Sequence, residues 1–407
     1  PPVAPADTSG VLAATADDAV APLAAGTRQN VVDQTGNTAF VEITLDTGAQ
    51  AIEFEWVMLV DAEQRQQLEA EAGDLMDFLT DSQTFELTGG EMLTFTVPPD
   101  LDADDAILDL VPADLRDLID RNHVYLVQNT KEVDSGAAQS ALLSLPMPAV
   151  CSEPVAVGVI DSAIDIKHPA FAEVADIRIH SRSFVDGNLV QPASHGTAVA
   201  AVLIGQQGDA TDDASLQPLL PAATLYSAAV FHANEAAQQG ATVMRILAAL
   251  DWLVSEEEVH VINMSLAGPP NRLLAQAVLA ASTQGKVIVA AVGNEGPHGP
   301  VRYPAAYAEV IGVTAVERNA GIYRWSNQGP QIDYAALGVE VPTARGDGSF
   351  GPESGTSIAA PVIAAFLACE LAAHADVDEA IAALDLRLRD LGDPGRDTVF
   401  GKGLLHP

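Results

Sequence analysis

The pattern of apolar and polar positions changes character near residue 150. Ahead of it, residues 40–45 and 51–60 alternate as half-buried strands do, and 63–80 brings Leu68, Leu75, Met76 and Leu79 to helical spacing. Residues 84–87 and 91–97 flank Gly89-Gly90 and predict a hairpin. Residues 102–119 predict a helix with acids in its first turn, where the helix dipole favours them, and 123–128 an apolar strand. The order is close to β-α-β-β-α-β, a split βαβ arrangement. Beyond the change, residues 155–160 form a continuous apolar run, as a parallel strand covered on both faces requires. Residues 224–231, 259–264, 287–291 and 310–315 predict further strands, and 198–204, 241–253 and 273–283 helices. Strands alternating with helices predict an α/β fold, a doubly wound and mainly parallel sheet flanked by helices, preceded by a smaller α+β module.

Four segments follow. Residues 1–34 open without periodicity and read as a mobile acidic arm, and 35–130 form the α+β module. Residues 131–152, with Gly136, Pro146 and Pro148, read as a linker, and 153–407 form the α/β domain. A chain of 407 residues buries about three quarters of its unfolded surface and needs no staples. Its two cysteines, Cys151 and Cys369, are too few for a disulfide framework. Cys369 falls in an apolar run and reads as a small buried hydrophobe, a Cys151–Cys369 bridge being the alternative.

Charge narrows the partners. The chain holds 56 Asp and Glu against 19 Lys and Arg, a net of −37. Residues 1–150 carry 27 acids and 5 bases, net −22, and residues 151–407 carry 29 and 14, net −15. Such a surface repels phosphate backbones and anionic lipid, so nucleic acid and membrane are excluded as partners. No run of 18 apolar residues is expected to span a membrane, and no targeting segment is visible. Few lysines among many acids fit either solvation against high salt or a GC-rich genome.

Three segments stand where such a sheet presents a site, at strand ends and helix starts. Asp161-Ser162 ends an apolar strand, Ser194-His195-Gly196-Thr197 opens an Ala/Val helix, and Ser354-Gly355-Thr356-Ser357 opens another. A serine is a poor nucleophile without a base, and the base needs a carboxylate on its other ring nitrogen. Singly, each has a plainer reading: a structural aspartate, a satisfied buried histidine, a helix cap. Jointly, the order Asp, His, Ser matches one convergent triad arrangement.

On these residues, residues 153–407 resemble the subtilisin-like serine proteases. The stretch from Asp251-Trp252-Leu253 to Ser265-Leu266-Ala267-Gly268 is similar to the family's helix and substrate-binding strand. Ala290-Ala291-Val292-Gly293-Asn294 resembles its oxyanion segment, and Tyr303-Pro304-Ala305, Trp325-Ser326-Asn327 and Phe400-Gly401-Lys402-Gly403 match later landmarks. The resemblance implies a serine endopeptidase in which Ser357 attacks, His195 moves the proton and Asp161 orients it. Asn294 and the Ser357 N–H meet the oxyanion, and Ser265, Leu266, Ala267, Gly268, Ala291, Gly293 and Arg302 line the substrate cleft. It implies a peptide or protein substrate, no required cofactor and a secreted or periplasmic setting.

Several positions depart from the family. Ala163 stands where a glycine is usual and crowds the backbone beside Asp161; Ala198 and Ala360 replace a His and a Ser. Ala267 replaces a glycine and narrows the first specificity pocket. Arg302 either floors that pocket, favouring an acidic or a small side chain, or turns outward to Glu295. Calcium is frequent in the family, but Ala170 after His168-Pro169 replaces an Asp ligand of its tightest site, so that site is expected to be lost and no metal residues are assigned. Asp209, Asp212 and Asp213 read as a solvated loop, and Arg345-Gly346-Asp347 as a chance triplet.

Many family members carry an N-terminal prodomain of this strand and helix order. The resemblance implies that the front module assists folding and then inhibits intramolecularly, residues 123–133 entering the cleft, with Glu132 and Asp134 as cleavage positions if Arg302 floors the pocket. An unrelated accessory domain is the alternative. Two rival functions are a peptide-maturation protease or macrocyclase, with an amine as acceptor, and a catalytically silent binding protein. The first calls for a water-excluding lid that the sequence does not supply, and the second leaves the intact triad unexplained.

Overall fold

The computed structural model describes residues 24–127, 149–172, 178–207, 216–374 and 376–405. In its front part, strands β1 (Arg28–Val32), β2 (Thr38–Thr44), β3 (Gln50–Val60), β4 (Leu79–Phe85), β5 (Gly90–Thr96) and β6 (Ile119–Val127) form an antiparallel sheet. The long β3 pairs with β2, β5 and β6. Helix α1 (Ala62–Glu71) starts in a capping box: Asp61 accepts the Glu63 and Gln64 N–H groups, and Gln64 Oε1 accepts that of Asp61. Trp56, Met58, Leu68, Leu75, Phe95, Ile107 and Ile119 close the module's own core.

Three expectations for this part are corrected. The helix over 63–80 stops at Glu71 and gives way to the one-turn helix Gly73–Met76, because the residues after it pair with β5. The helix over 102–119 shrinks to Asp104–Leu108, since Pro112 lacks the N–H that an uninterrupted helix needs. The arm over 1–34 ends earlier than expected. Residues 1–23 lie outside the described residues, but Arg28–Val32 pairs along β2, a ladder of main-chain bonds that its polar side chains do not advertise. Most of the linker, 131–148, also lies outside them.

The larger part holds β7 (Ala156–Asp161), β8 (Ile179–Ser183), β9 (Thr224–Ala229), β10 (His232–Ala233), β11 (Gln239–Thr242), β12 (Val259–Met264), β13 (Leu266–Ala267), β14 (Val287–Ala291), β15 (Val310–Val316) and β16 (Tyr334–Leu337). The order β8-β9-β7-β12-β14-β15-β16 is parallel throughout, and Leu404–Leu405 and Leu388–Arg389 extend it. Helices α2 (Ser194–Ile204) and α5 (Thr356–Ala373) pack in one core, and α3 (Val243–Ser255) and α4 (Arg272–Thr283) in another that includes the sheet's opposite side chains. This is the expected α/β architecture. The two parts share a sheet: the end of β6 runs between β11 and β13, antiparallel to both.

Two readings of the larger part need amendment. By length and hydropathy α5 is able to cross a membrane, but 78% of it is buried inside the protein, where it is the central core helix. Cys369 packs on the core as expected, yet it is not free. The contact of α5 with the segment before β7 brings it to Cys151, 218 residues away, and the two are disulfide-bonded with a Cα–Cα distance of 6.0 Å.

Candidate active site

Asp161 is the last residue of β7, at the carboxyl end of the sheet, and His195 is the second residue of α2. The helix start is docked closely: Gly196 N–H donates to Ser162 Oγ at 2.8 Å, and a methyl on Gly196 would lie 2.2 Å from the Ser162 carbonyl oxygen. Only a glycine lets α2 begin here. His195 Nδ1 then lies 2.8 and 3.0 Å from the two Asp161 carboxylate oxygens, and Asp161 also accepts the Ser162 N–H at 2.6 Å. A carboxylate only accepts, so Nδ1 carries the proton and Nε2 the lone pair. Nε2 is buried with no hydrogen-bond partner among the described residues. Burial disfavours the imidazolium, but the charge and hydrogen bond of Asp161, with the charge of Glu353, outweigh it and hold the His195 pKa above its ordinary value.

Ser357 is the second residue of α5, in the first turn, where backbone N–H groups point out of the helix end. Its carbonyl accepts from Ser265 Oγ at 2.9 Å, which in turn accepts from Asn263 Nδ2 at 2.9 Å. Asn294 Oδ1 accepts from both the N–H and the hydroxyl of Thr356, at 3.0 Å each, which fixes the amide. A methyl built on Gly355 would lie 3.0 Å from Asn294 Nδ2 and 3.2 Å from Ser357 Oγ. The amide and the hydroxyl therefore border one small space, which glycine leaves open. Thr356, Ser162 and Asn263 were not singled out from sequence. Their roles are to hold other side chains, and only adjacency to Ser357 or Asp161 hinted at the first two.

The cleft residues fall as follows. Leu266 and Ala267 lie opposite Val127 and Leu126 of β6, and Gly268 exchanges backbone hydrogen bonds with Tyr303 at 2.9 and 3.1 Å. Ala291 is fully buried at the end of β14, and Gly293 takes φ +110°, a conformation that suits glycine. Arg302 Nε lies 2.8 Å from Glu295 Oε1. Of the two arrangements open to it, the one described is the pair with Glu295, so its charge is already met by a carboxylate. The expectation of an unpaired cation selecting acidic side chains loses its basis. Ala163, expected to crowd the backbone, is accommodated with its N–H donating to the Pro192 carbonyl at 3.0 Å. Ala198 and Ala360 are buried in their helices.

Ala170 is also buried, and its methyl offers a cation nothing. His168 beside it is engaged on both ring nitrogens, accepting from Ala170 N and meeting the Ser349 carbonyl at 2.9 Å, so these residues do not fit the family's tight calcium site. Among the described residues no group of three His, Cys, Asp or Glu side chains is placed to hold a metal. Asp209, Asp212 and Asp213 lie outside the described residues.

The subtilase family model matches residues 152–403. Subtilisin E of Bacillus subtilis (strain 168) is 29% identical over 288 residues, covering 68% of this chain and 70% of that protein. Subtilisin of Bacillus pumilus is 29% identical over 288 residues and is covered over 98% of its length. Minor extracellular protease Epr of Bacillus subtilis (strain 168) is 30% identical over 232 residues, 56% of this chain and 34% of that protein.

Proposed function

This chain belongs to the subtilase family and is a serine endopeptidase, and we propose that it hydrolyses peptide bonds through Asp161, His195 and Ser357. Ser357 Oγ attacks the scissile carbonyl as His195 Nε2 takes its proton. The proton passes to the leaving amine, and water, activated by the same nitrogen, releases the acyl group from Ser357. Asp161 keeps the imidazole in the required tautomer and stabilises the imidazolium. Asn294 Nδ2 and the Ser357 N–H receive the oxyanion, each such donor being worth about a hundred- to a thousandfold in rate. The two-oxygen contact of Asp161 with His195 Nδ1 carries this reading.

The front module acts as an intramolecular inhibitor and folding aid. Its β6 runs between β11 and β13 in the manner of a bound peptide, which supports this role. Both parts are net negative, so attraction depends on local contacts: the Arg272 N–H, opening α4, donates to Asp120 at 2.8 Å, and the Leu87 N–H donates to Asp251 at 2.6 Å. Val127, the last described residue of β6, stands opposite Leu266, one residue from Ser265, whose hydroxyl donates to the Ser357 carbonyl. That count favours processing after Gln128. Glu132 and Asp134 lie outside the described residues, and the pairing of Arg302 removes the reason for preferring them. The Cys151–Cys369 bond favours an oxidising compartment, and secretion is the reading that joins it to the extracellular relative.

Intact-mass analysis of the purified chain beside Ser357→Ala tests this. A new N-terminus at Asn129 in the active form alone is expected, with fluorophosphonate labelling lost in the variant. Identical masses and identical labelling would remove both the nucleophile and the processing assignment.

A further inference from the structure

Beside β11, Glu42 of β2 sends a buried carboxylate into the peptidase part. Its Oε1 accepts from His232 Nε2 and its Oε2 from Asn234 Nδ2, each at 2.8 Å. Both donors are aimed by the peptidase alone. His232 Nδ1 accepts from Arg245 Nη1 at 2.8 Å, so the ring proton stands on Nε2. Asn234 Oδ1 takes the N–H groups of Ala236 and Gln238, at 3.1 and 3.0 Å, which turns Nδ2 toward the carboxylate. Arg245 is buried on the far side of the His232 ring, where its charge offsets that of Glu42, and Asp186 reaches it at 3.1 Å. Gly240 completes the recess: a methyl built there would lie 2.9 Å from Glu42 Oε1.

A carboxylate is costly to bury unless donors and a countercharge are already in place. Here those groups all belong to the peptidase and are held by peptidase contacts. The front module adds the carboxylate itself, the Phe40 ring, edge-on to His232 at 5.1 Å, and Gln29 Oε1, which accepts from Asn234 Nδ2 at 2.8 Å. We propose that residues 232–245 form a carboxylate receptor that recognises one glutamate side chain on an extended strand. In this chain Glu42 fills it, and once the module has left it is open to a glutamate of another protein. The opening rests on the reading that processing removes the module; the receptor itself does not. Loss of Glu42 leaves two oriented N–H donors and a buried cation without their partner. A glutamine meets them only in part, because its amide turns a further donor toward one of the two.

The receptor is tested in full-length Ser357→Ala, its mass confirmed as uncut, by adding Glu42→Ala and supplying the missing group as acetate. The substitution is expected to quicken hydrogen exchange at β2 and β11. Acetate should slow that exchange again, saturating as its concentration rises, while chloride at equal ionic strength and acetamide at equal concentration should not. If the variant folds poorly, its folded yield in acetate against chloride gives the same reading. A response to acetate no greater than to chloride overturns the receptor. The opening is tested on wild-type enzyme blocked with a fluorophosphonate and shown by intact mass to have lost the module. A labelled peptide copying residues 38–44, Thr-Ala-Phe-Val-Glu-Ile-Thr, should bind about tenfold more tightly than the same peptide with Gln in place of Glu. Equal affinity, or none for either, overturns the recognition of glutamate. A blocked enzyme that keeps its module removes the processing reading instead, and the acetate result then decides the receptor alone.

Discussion

His195 and His232 are both buried, and each meets a carboxylate at 2.8 Å, His195 that of Asp161 and His232 that of Glu42. Their proton affinities nevertheless move in opposite directions. His195 is held above its ordinary value of 6.5, while burial, reinforced by the charge of Arg245, holds His232 below it. The difference lies on the second ring nitrogen. His195 Nε2 faces no hydrogen-bond partner among the described residues, whereas His232 Nδ1 accepts from Arg245 Nη1 at 2.8 Å. Arginine only donates, so a proton on that nitrogen breaks the bond and sets two cations together. Asp186 at 3.1 Å from Arg245 offsets part of this. A carboxylate neighbour therefore does not decide a histidine's charge; what stands across the ring does. One arrangement leaves a base free to accept a proton, and the other joins the front module to the peptidase through a neutral ring.

The comparison can be broken at either end. The largest effect is expected at the proposed catalytic pair: Asp161→Asn should lower kcat by about ten-thousandfold, since the amide favours the wrong tautomer. In the unsubstituted chain the acid limb of kcat/KM should have its midpoint above 6.5, because His195 must be neutral to act. A midpoint below that value contradicts the assigned geometry. A smaller effect is expected at the interface. Glu42→Ala leaves His232 Nε2 and Asn234 Nδ2 without this acceptor and should weaken the junction by about 2 kcal/mol or more. Hydrogen exchange at β2 and β11 should quicken accordingly, and unchanged protection there would show that the pair contributes nothing. The smallest is a pH effect. The folded interface refuses a proton that a released His232 accepts, so its stability is fully present above pH 6.5 and declines as pH falls below it. The contribution of His195 has the reverse sign, present at low pH and lost as pH rises through its raised value. Arg245→Met should move the NMR titration of His232 upward, and no movement would reject the explanation from Arg245.

These two histidines also mark how far sequence reasoning reaches. Asp161, His195 and Ser357 were legible because each stands at a strand end or helix start inside a short recognisable segment. His232 was not, because its meaning depends on Glu42, 190 residues earlier, and no local pattern carries that contact. Tyr125 was hidden for the same reason: within β6 it reads as one more apolar residue, and only the docked strand shows its hydroxyl donating to the Pro269 carbonyl at 2.8 Å. In the fold, parallel strands such as β7 were evident from continuous apolar runs. Strand β1 was missed because RQNVV gains its place from pairing with β2, and Arg302 stayed undecided until Glu295 was seen beside it.

The bond between Cys151 and Cys369 turns the intervening chain into a closed ring, and Asp161, His195, Asn294 and Ser357 all lie within it. An endopeptidase at high concentration is exposed to its own kind. One cut within this ring opens it without separating the molecule into two pieces, so the proposed triad stays on one covalent body. A cut in the front module carries no such protection. The crosslink thus separates the part of the chain that holds the proposed site from the part that the proposed processing would remove.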